Sequence, residues 1–114
     1  MRGAAVLAAA AFLLFAGCTF EQPEHRVEYR VTGTARSVEV ALTNADGGTE
    51  MYDNRALPWT YTVSGNYQRG FLYISAQNEG ERGSVTASIY VDGQQWKTAT
   101  SSGEYVIATA SGRL

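Results

Sequence analysis

Polar and apolar residues alternate along most of this chain. The run Arg26-Val27-Glu28-Tyr29-Arg30-Val31-Thr32 puts two valines and a tyrosine on one face and mostly charge on the other. A period of two marks a half-buried strand, because successive side chains point to opposite faces of a sheet. Residues 37–43 repeat it, 44–48 read as a turn, and 49–52 as a short returning strand. Residues 57–64 alternate aromatic or aliphatic with hydroxyl, and Pro58 suits a strand's first residues or an edge. Residues 71–76 are apolar on both faces, which predicts a central strand, and 77–83 are a polar, glycine-rich connection. Residues 84–91 alternate again. Asp92-Gly93 then signals a two-residue hairpin, since both positions of a type I′ turn need positive φ. Residues 94–100 return with Trp96, 101–103 turn, and 104–110 form the last strand. Seven to eight short strands with no helical periodicity predict an all-β, antiparallel immunoglobulin-like β-sandwich. A closed barrel of similar strand count is the alternative.

The N-terminal segment breaks this pattern. After Arg2 and Gly3, residues 4–16 are uninterruptedly apolar. Charge followed by a short apolar stretch is the layout of a secretory signal, and a spanning helix needs about 20 apolar residues. The run ends in Phe15-Ala16-Gly17-Cys18, which resembles the bacterial lipobox, although leucine is the usual residue where Phe15 stands. In such signals the cysteine takes a diacylglycerol, cleavage falls just before it, and the new amine is acylated, for example with palmitate. Cys18 is therefore the predicted lipidation site and membrane contact; the competing reading is a chance cysteine after an ordinary signal. Several acyl chains hold a protein on a membrane without a spanning helix. The expected organisation is a lipoprotein signal peptide over 1–17, a lipidated tether over 18–25 and a β-domain over 26–114, held in the cell envelope outside the cytoplasm. Seven tether residues reach at most ~25 Å.

Charge and chemistry narrow the function. The formal net charge is −2 with no run of like sign, which removes the basic footprint of a nucleic-acid binder and a polybasic membrane patch. Cys18 is the single cysteine, so acylation leaves none for a disulfide or a metal. His25, the single histidine, falls in the tether and reads as a solvated linker residue. One histidine cannot furnish a zinc set or place a catalytic base on a rigid element. Asp46 and Asp53 lie near Asn44 and Asn54 with turn spacing rather than that of a calcium loop. Glu28, Glu39, Glu50 and Glu104 occupy positions that read as outward and solvated. No glycine run has phosphate-loop spacing. No catalytic residue, metal or cofactor is assigned, and the chain is not expected to be an enzyme. Among the aromatics, Trp59 and Tyr61 read as core. Trp96, Tyr52, Tyr67 and Tyr90 are expected to be partly exposed, lining a partner surface or a sugar-binding face, or else pairing across strands.

Residues 27–112 resemble the globular domain of the mycobacterial membrane protein small (MmpS) family. The likeness is carried by Val27-Glu28-Tyr29-Arg30-Val31-Thr32-Gly33, by Leu57-Pro58-Trp59 entering a threonine-rich strand, and by Ile74-Ser75-Ala76-Gln77-Asn78. Ile89-Tyr90-Val91-Asp92-Gly93 and Tyr105 complete it. The resemblance implies an immunoglobulin-like sandwich outside the cytoplasmic membrane, acting as an accessory to a large proton-driven exporter of the RND type. This sequence departs from the family pattern in two ways. A lipobox stands where the family has a transmembrane helix, and Ala87 and Ala108 stand where it has two cysteines in late strands. The resemblance therefore implies that Ala87 and Ala108 face each other in the core. A stand-alone envelope lipoprotein that binds a sugar or another protein is the alternative reading; any small-molecule ligand is unidentified.

Overall fold

The computed structural model describes residues 24–65, 67 and 70–114; the predicted signal and Cys18 lie outside them. Eight strands follow in order: β1 (His25–Gly33), β2 (Val38–Thr43), β3 (Thr49–Arg55), β4 (Trp59–Gly65), β5 (Phe71–Asn78), β6 (Ser84–Val91), β7 (Gln94–Ser102) and β8 (Ile107–Arg113). They form two four-stranded antiparallel sheets, ordered β4-β1-β6-β7 and β3-β2-β5-β8. The sheets pack as a sandwich. Among the described residues no helix is long and apolar enough to cross a membrane.

The alternation in the sequence becomes the core. Val27, Tyr29 and Val31 of β1, Val38, Val40 and Leu42 of β2, and Leu72, Ile74 and Ala76 of β5 are buried together with Val85, Ala87 and Ile89 of β6. Tyr29 can sit at the centre because its hydroxyl donates to the Thr43 carbonyl at 2.7 Å, so its own buried donor is paired. Burying each large aliphatic side chain is worth about 1.5–3 kcal/mol, and this is what holds the sheets together without a disulfide.

The two flanks of the sandwich differ. Where β7 meets β8, the inward residues of β8 are Ala108, Ala110 and Gly112. A Cβ on Gly112 would stand 2.7 Å from Trp96, so glycine lets the indole lie against the β8 backbone. Where β3 meets β4, aromatic rings fill the gap instead: Tyr52 lies tilted at 5.2 Å from Trp59 and 5.9 Å from Tyr61, which stack on each other at 6.3 Å.

Strand direction sorts the connections into two poles. His25 pairs with Gly65, so the chain enters beside the β4–β5 and β6–β7 turns, and the β2–β3 turn shares this entry pole. The β1–β2, β3–β4, β5–β6 and β7–β8 connections lie at the far pole, one nine-residue strand or about 30 Å away.

β5 and β7 run two residues further than the sequence reading, to Asn78 and Ser102, and three other differences are larger. The last strand begins at Ile107, not at 104, because Tyr105 turns with φ 53° and its N–H donates to Gly80 O at 3.2 Å. The third strand runs on to Arg55 past a bulge opposite Val38–Val40. His25 is the first residue of β1, paired and no longer part of a free linker. The Asp92-Gly93 hairpin forms as read, with φ of 52° and 87°.

Candidate functional site

Two titratable pairs form, His25 with Asp92 at 2.8 Å and Glu79 beside Asp53, while no cluster of three metal-ligating side chains exists among the described residues. The candidate surfaces are two outer faces, an aromatic seam and the far-pole loops.

The outer face of the first sheet is a field of hydroxyls. Thr86 pairs with Thr100 at 2.8 Å and Ser88 with Thr98 at 2.9 Å across β6 and β7. Thr60, Thr62 and Thr32 extend the field over β4 and β1. Arg30 lies 3.9 Å over the Tyr90 ring and binds Glu28 at 2.8 Å, which lowers the Glu28 carboxyl and raises the guanidinium. The second sheet is different. All the exposed large hydrophobics among the described residues lie on its strands or at their ends: Met51 (64%), Phe71 (43%), Ile107 (53%), Tyr105 and Leu114. Single exposed apolar residues are ordinary, but their segregation to one sheet sets that face apart from the hydroxyl-rich one.

The aromatic seam holds a carboxylate that the alternation misplaced. Glu50 was expected outward; it points into the seam between β3 and β4, half-buried. It accepts from Tyr52 Oη at 2.5 Å, Asn44 Nδ2 at 3.0 Å and Tyr61 Oη at 3.3 Å. Those bonds, Tyr52 first and Asn44 second, hold its pKa below the usual carboxylate range. In return the carboxylate pushes the Tyr52 phenol up to about 12. Burial is the larger cause at Tyr61, with Glu50 second. Such a carboxylate is a fixed acceptor for phenols and a poor acid or base near neutral pH.

The remaining predicted residues divide. Tyr52, Trp96 and Tyr90 are half-buried. Tyr67 is a correction: it is 5% exposed, and its hydroxyl has no hydrogen-bond partner among the described residues. Trp96 is closed on one side by Gly112 and flanked by Lys97 at 5.1 Å, which leaves a poor sugar platform. Asn44 caps the β2–β3 turn, its Oδ1 accepting from Asp46 and Gly48 N–H, in keeping with the turn reading. Asp53 instead stands beside Glu79. That neighbour, followed by burial, raises the Glu79 carboxyl, although Ser37 Oγ donates to it at 3.1 Å. Ala87 and Ala108 are both buried, on facing strands of opposite sheets.

The residue that organises the far pole is Asn78, which the sequence reading quoted only as part of the family likeness and gave no role. Its side chain is fully buried. Nδ2 donates to Arg82 O at 2.8 Å and Gly103 O at 2.9 Å, and Oδ1 accepts from Gly80 N–H at 2.8 Å. One amide thus ties the β5–β6 loop to the β7–β8 loop. Glu79 N–H donates to Ser37 O, and Thr34 and Ala35 N–H donate to Ser84 O, which brings in the β1–β2 loop. A signal was visible: Leu72, Ile74, Ala76 and Asn78 occupy successive inward positions, and the fourth is polar. A buried polar side chain must find partners, so it marks a node.

Comparison with known proteins places these features. Residues 15–110 match the family described as Mycobacterium membrane protein. Over 77 residues the chain is 32% identical to the siderophore export accessory protein MmpS5 of Mycobacterium tuberculosis and to the probable transport accessory protein MmpS5 of Mycobacterium bovis. That stretch is 68% of this chain and 53% of each relative, so the chain spans about half the length of the curated relatives it matches.

Proposed function

This chain belongs to the Mycobacterium membrane protein (MmpS) family, and on that premise we propose that it is a non-enzymatic accessory subunit of an RND-type membrane exporter, lipid-anchored through Cys18 outside the cytoplasm. The observation that carries the reading is the family match over residues 15–110, which takes in almost the whole sandwich, to relatives named as transport accessory proteins. Two features support it. The second sheet presents Met51, Phe71 and Ile107 to a partner. A tether of at most ~25 Å from Cys18 keeps that sheet within reach of a transporter in the same membrane.

Crosslinking the affinity-tagged chain in intact cells tests the reading. A large polytopic transporter among the captured proteins is the expected result; repeated capture of envelope glycans or soluble enzymes in its place overturns it. The anchor has its own test. Cys18→Ser should release the chain from the membrane fraction, and a variant that stays membrane-bound shows that some other segment anchors it.

A further inference from the structure

A second surface lies at the far pole, away from both outer faces. The β1–β2 and β5–β6 loops enclose an open cleft of about 650 Å³ lined by Thr34, Arg36, Gly80, Glu81, Arg82 and Gly83. That volume is in the range of small-molecule sites. Its walls are held in place by backbone bonding. Asn78 fixes Gly80 N–H and Arg82 O, Gly103 N–H donates to Gly83 O, and Thr34 Oγ1 accepts from Ser84 N–H. Gly83 has φ +107° and lies so close to Ala35 that a Cβ would stand 2.9 Å from its backbone. No side chain larger than hydrogen fits there, so the two loops meet backbone to backbone and leave space above them.

The charge in this cleft is out of balance. Arg30, Arg55 and Arg113 each lie against an aromatic ring. The guanidinium groups of Arg36 and Arg82 have no hydrogen-bond, ion-pair or ring partner among the described residues, although they line the same cleft. Glu81, between them in the lining, is bonded to neither. Two like charges at one concavity repel each other unless something of opposite sign completes the set. Guanidinium is the group best shaped to hold an oxyanion through paired N–H donors.

We infer that this cleft is a binding site for a small oxyanion, a carboxylate or phosphate group, clamped between Arg36 and Arg82 with the Thr34 hydroxyl at its edge. The inference stands on the cleft alone and does not require the exporter reading. The same chemistry is offered by a soluble organic acid, by free phosphate and by a lipid headgroup.

Amide NMR of the full lipoprotein in neutral micelles separates these sources. Citrate and inorganic phosphate are titrated in turn, and phosphatidylglycerol is then added to the micelles. Saturable shifts confined to Gly80, Glu81, Arg82 and Gly83 support the site, and the probe that saturates at lowest concentration names the source. Arg36→Gln and Arg82→Gln should each weaken binding about tenfold, the worth of one charge-assisted contact. Glu81→Gln should tighten it. Lys97→Gln, at the opposite half of the molecule, should leave it unchanged. Shifts that never saturate, that survive the double arginine variant, or that fall equally in Lys97→Gln overturn the inference. Both arginine side chains are exposed, so the variants keep the fold, and unchanged amide dispersion elsewhere confirms it.

Discussion

At the entry pole, β1 is tied to the β6–β7 turn by a carboxylate. Asp92 Oδ1 accepts from Arg26 N–H at 2.9 Å, Oδ2 pairs with His25 Nδ1 at 2.8 Å, and Asp92 N–H donates to Arg26 O. At the far pole the same task falls to the neutral amide of Asn78. The carboxylate clip is exposed and charged; the amide clip is buried and carries no charge. A buried, fully satisfied amide has one geometry and keeps it, whereas an exposed carboxylate clip is open to water and adjustable. The difference sets an adjustable end, where β1 begins, against an end whose loops are held in one arrangement.

The comparison breaks most visibly at Asn78. Asn78→Ala leaves Arg82 O, Gly103 O and Gly80 N–H without their partner inside the protein. Arg82 is exposed and Gly80 and Gly103 are half-buried, so each lost bond costs about 0.5–1.5 kcal/mol net, and a loss of about 2–4 kcal/mol is expected in urea unfolding. Hydrogen exchange should rise first in 80–83 and 103–105 while residues 25–28 stay protected. Equal loosening at both ends would mean that the amide acts on the whole fold and not on one pole.

A crosslink sharpens the contrast from the other side. Ala87 and Ala108 are buried on facing strands, and the family resemblance places a cysteine at each. Ala87→Cys with Ala108→Cys should oxidise to a disulfide and stabilise the fold by about 3 kcal/mol, the entropy of a loop of roughly 20 residues. Free-thiol counting and the urea midpoint with and without reductant read the outcome. A pair that stays reduced shows that the two positions do not meet.

Much of the fold could be read in the sequence, since alternation is a local signal. β1, β2, β4 and β6 follow from it directly, as does the Asp92-Gly93 hairpin. What failed was set by distant partners. Glu50 reads as a solvated charge until β4 brings Tyr61 beside it. The start of β8 was misplaced because Gly80 holds Tyr105 in a turn. Tyr67 reads as partly exposed, since its flanking sequence carries no sign of the core it enters. Asn78 carried its signal as a polar residue in an inward slot; two of its partners are local, at 2 and 4 residues, but the one that joins the loops, Gly103 O, lies 25 residues away. Arg36 and Arg82 are unremarkable until two loops meet.

The smallest expected effects come from titration, and the two poles should respond with opposite sign. The Arg26 N–H, then His25, hold the Asp92 carboxyl below its usual value. A depressed carboxylate contributes stability above its unfolded pKa of about 3.9, and loses it as pH falls through the folded value. Acidification below about pH 4 should therefore loosen the entry pole. At the far pole, Glu79 is raised, with Asp53 the first cause and burial the second. A raised carboxyl is a liability once ionised. Its contribution is fully present below the unfolded value of about 4.3 and is lost as pH rises through the folded one. Bringing the pH from neutral toward about 4.3 should tighten the β2–β5 end before Asp92 begins to protonate. Amide protection factors at 26–28 and 78–80, corrected for intrinsic exchange, would show the crossing. Asp92→Asn should flatten the first trend and Glu79→Gln the second, each leaving the other intact. A common response at both poles would mean that the sandwich senses pH as one body and that its two clips are not independent.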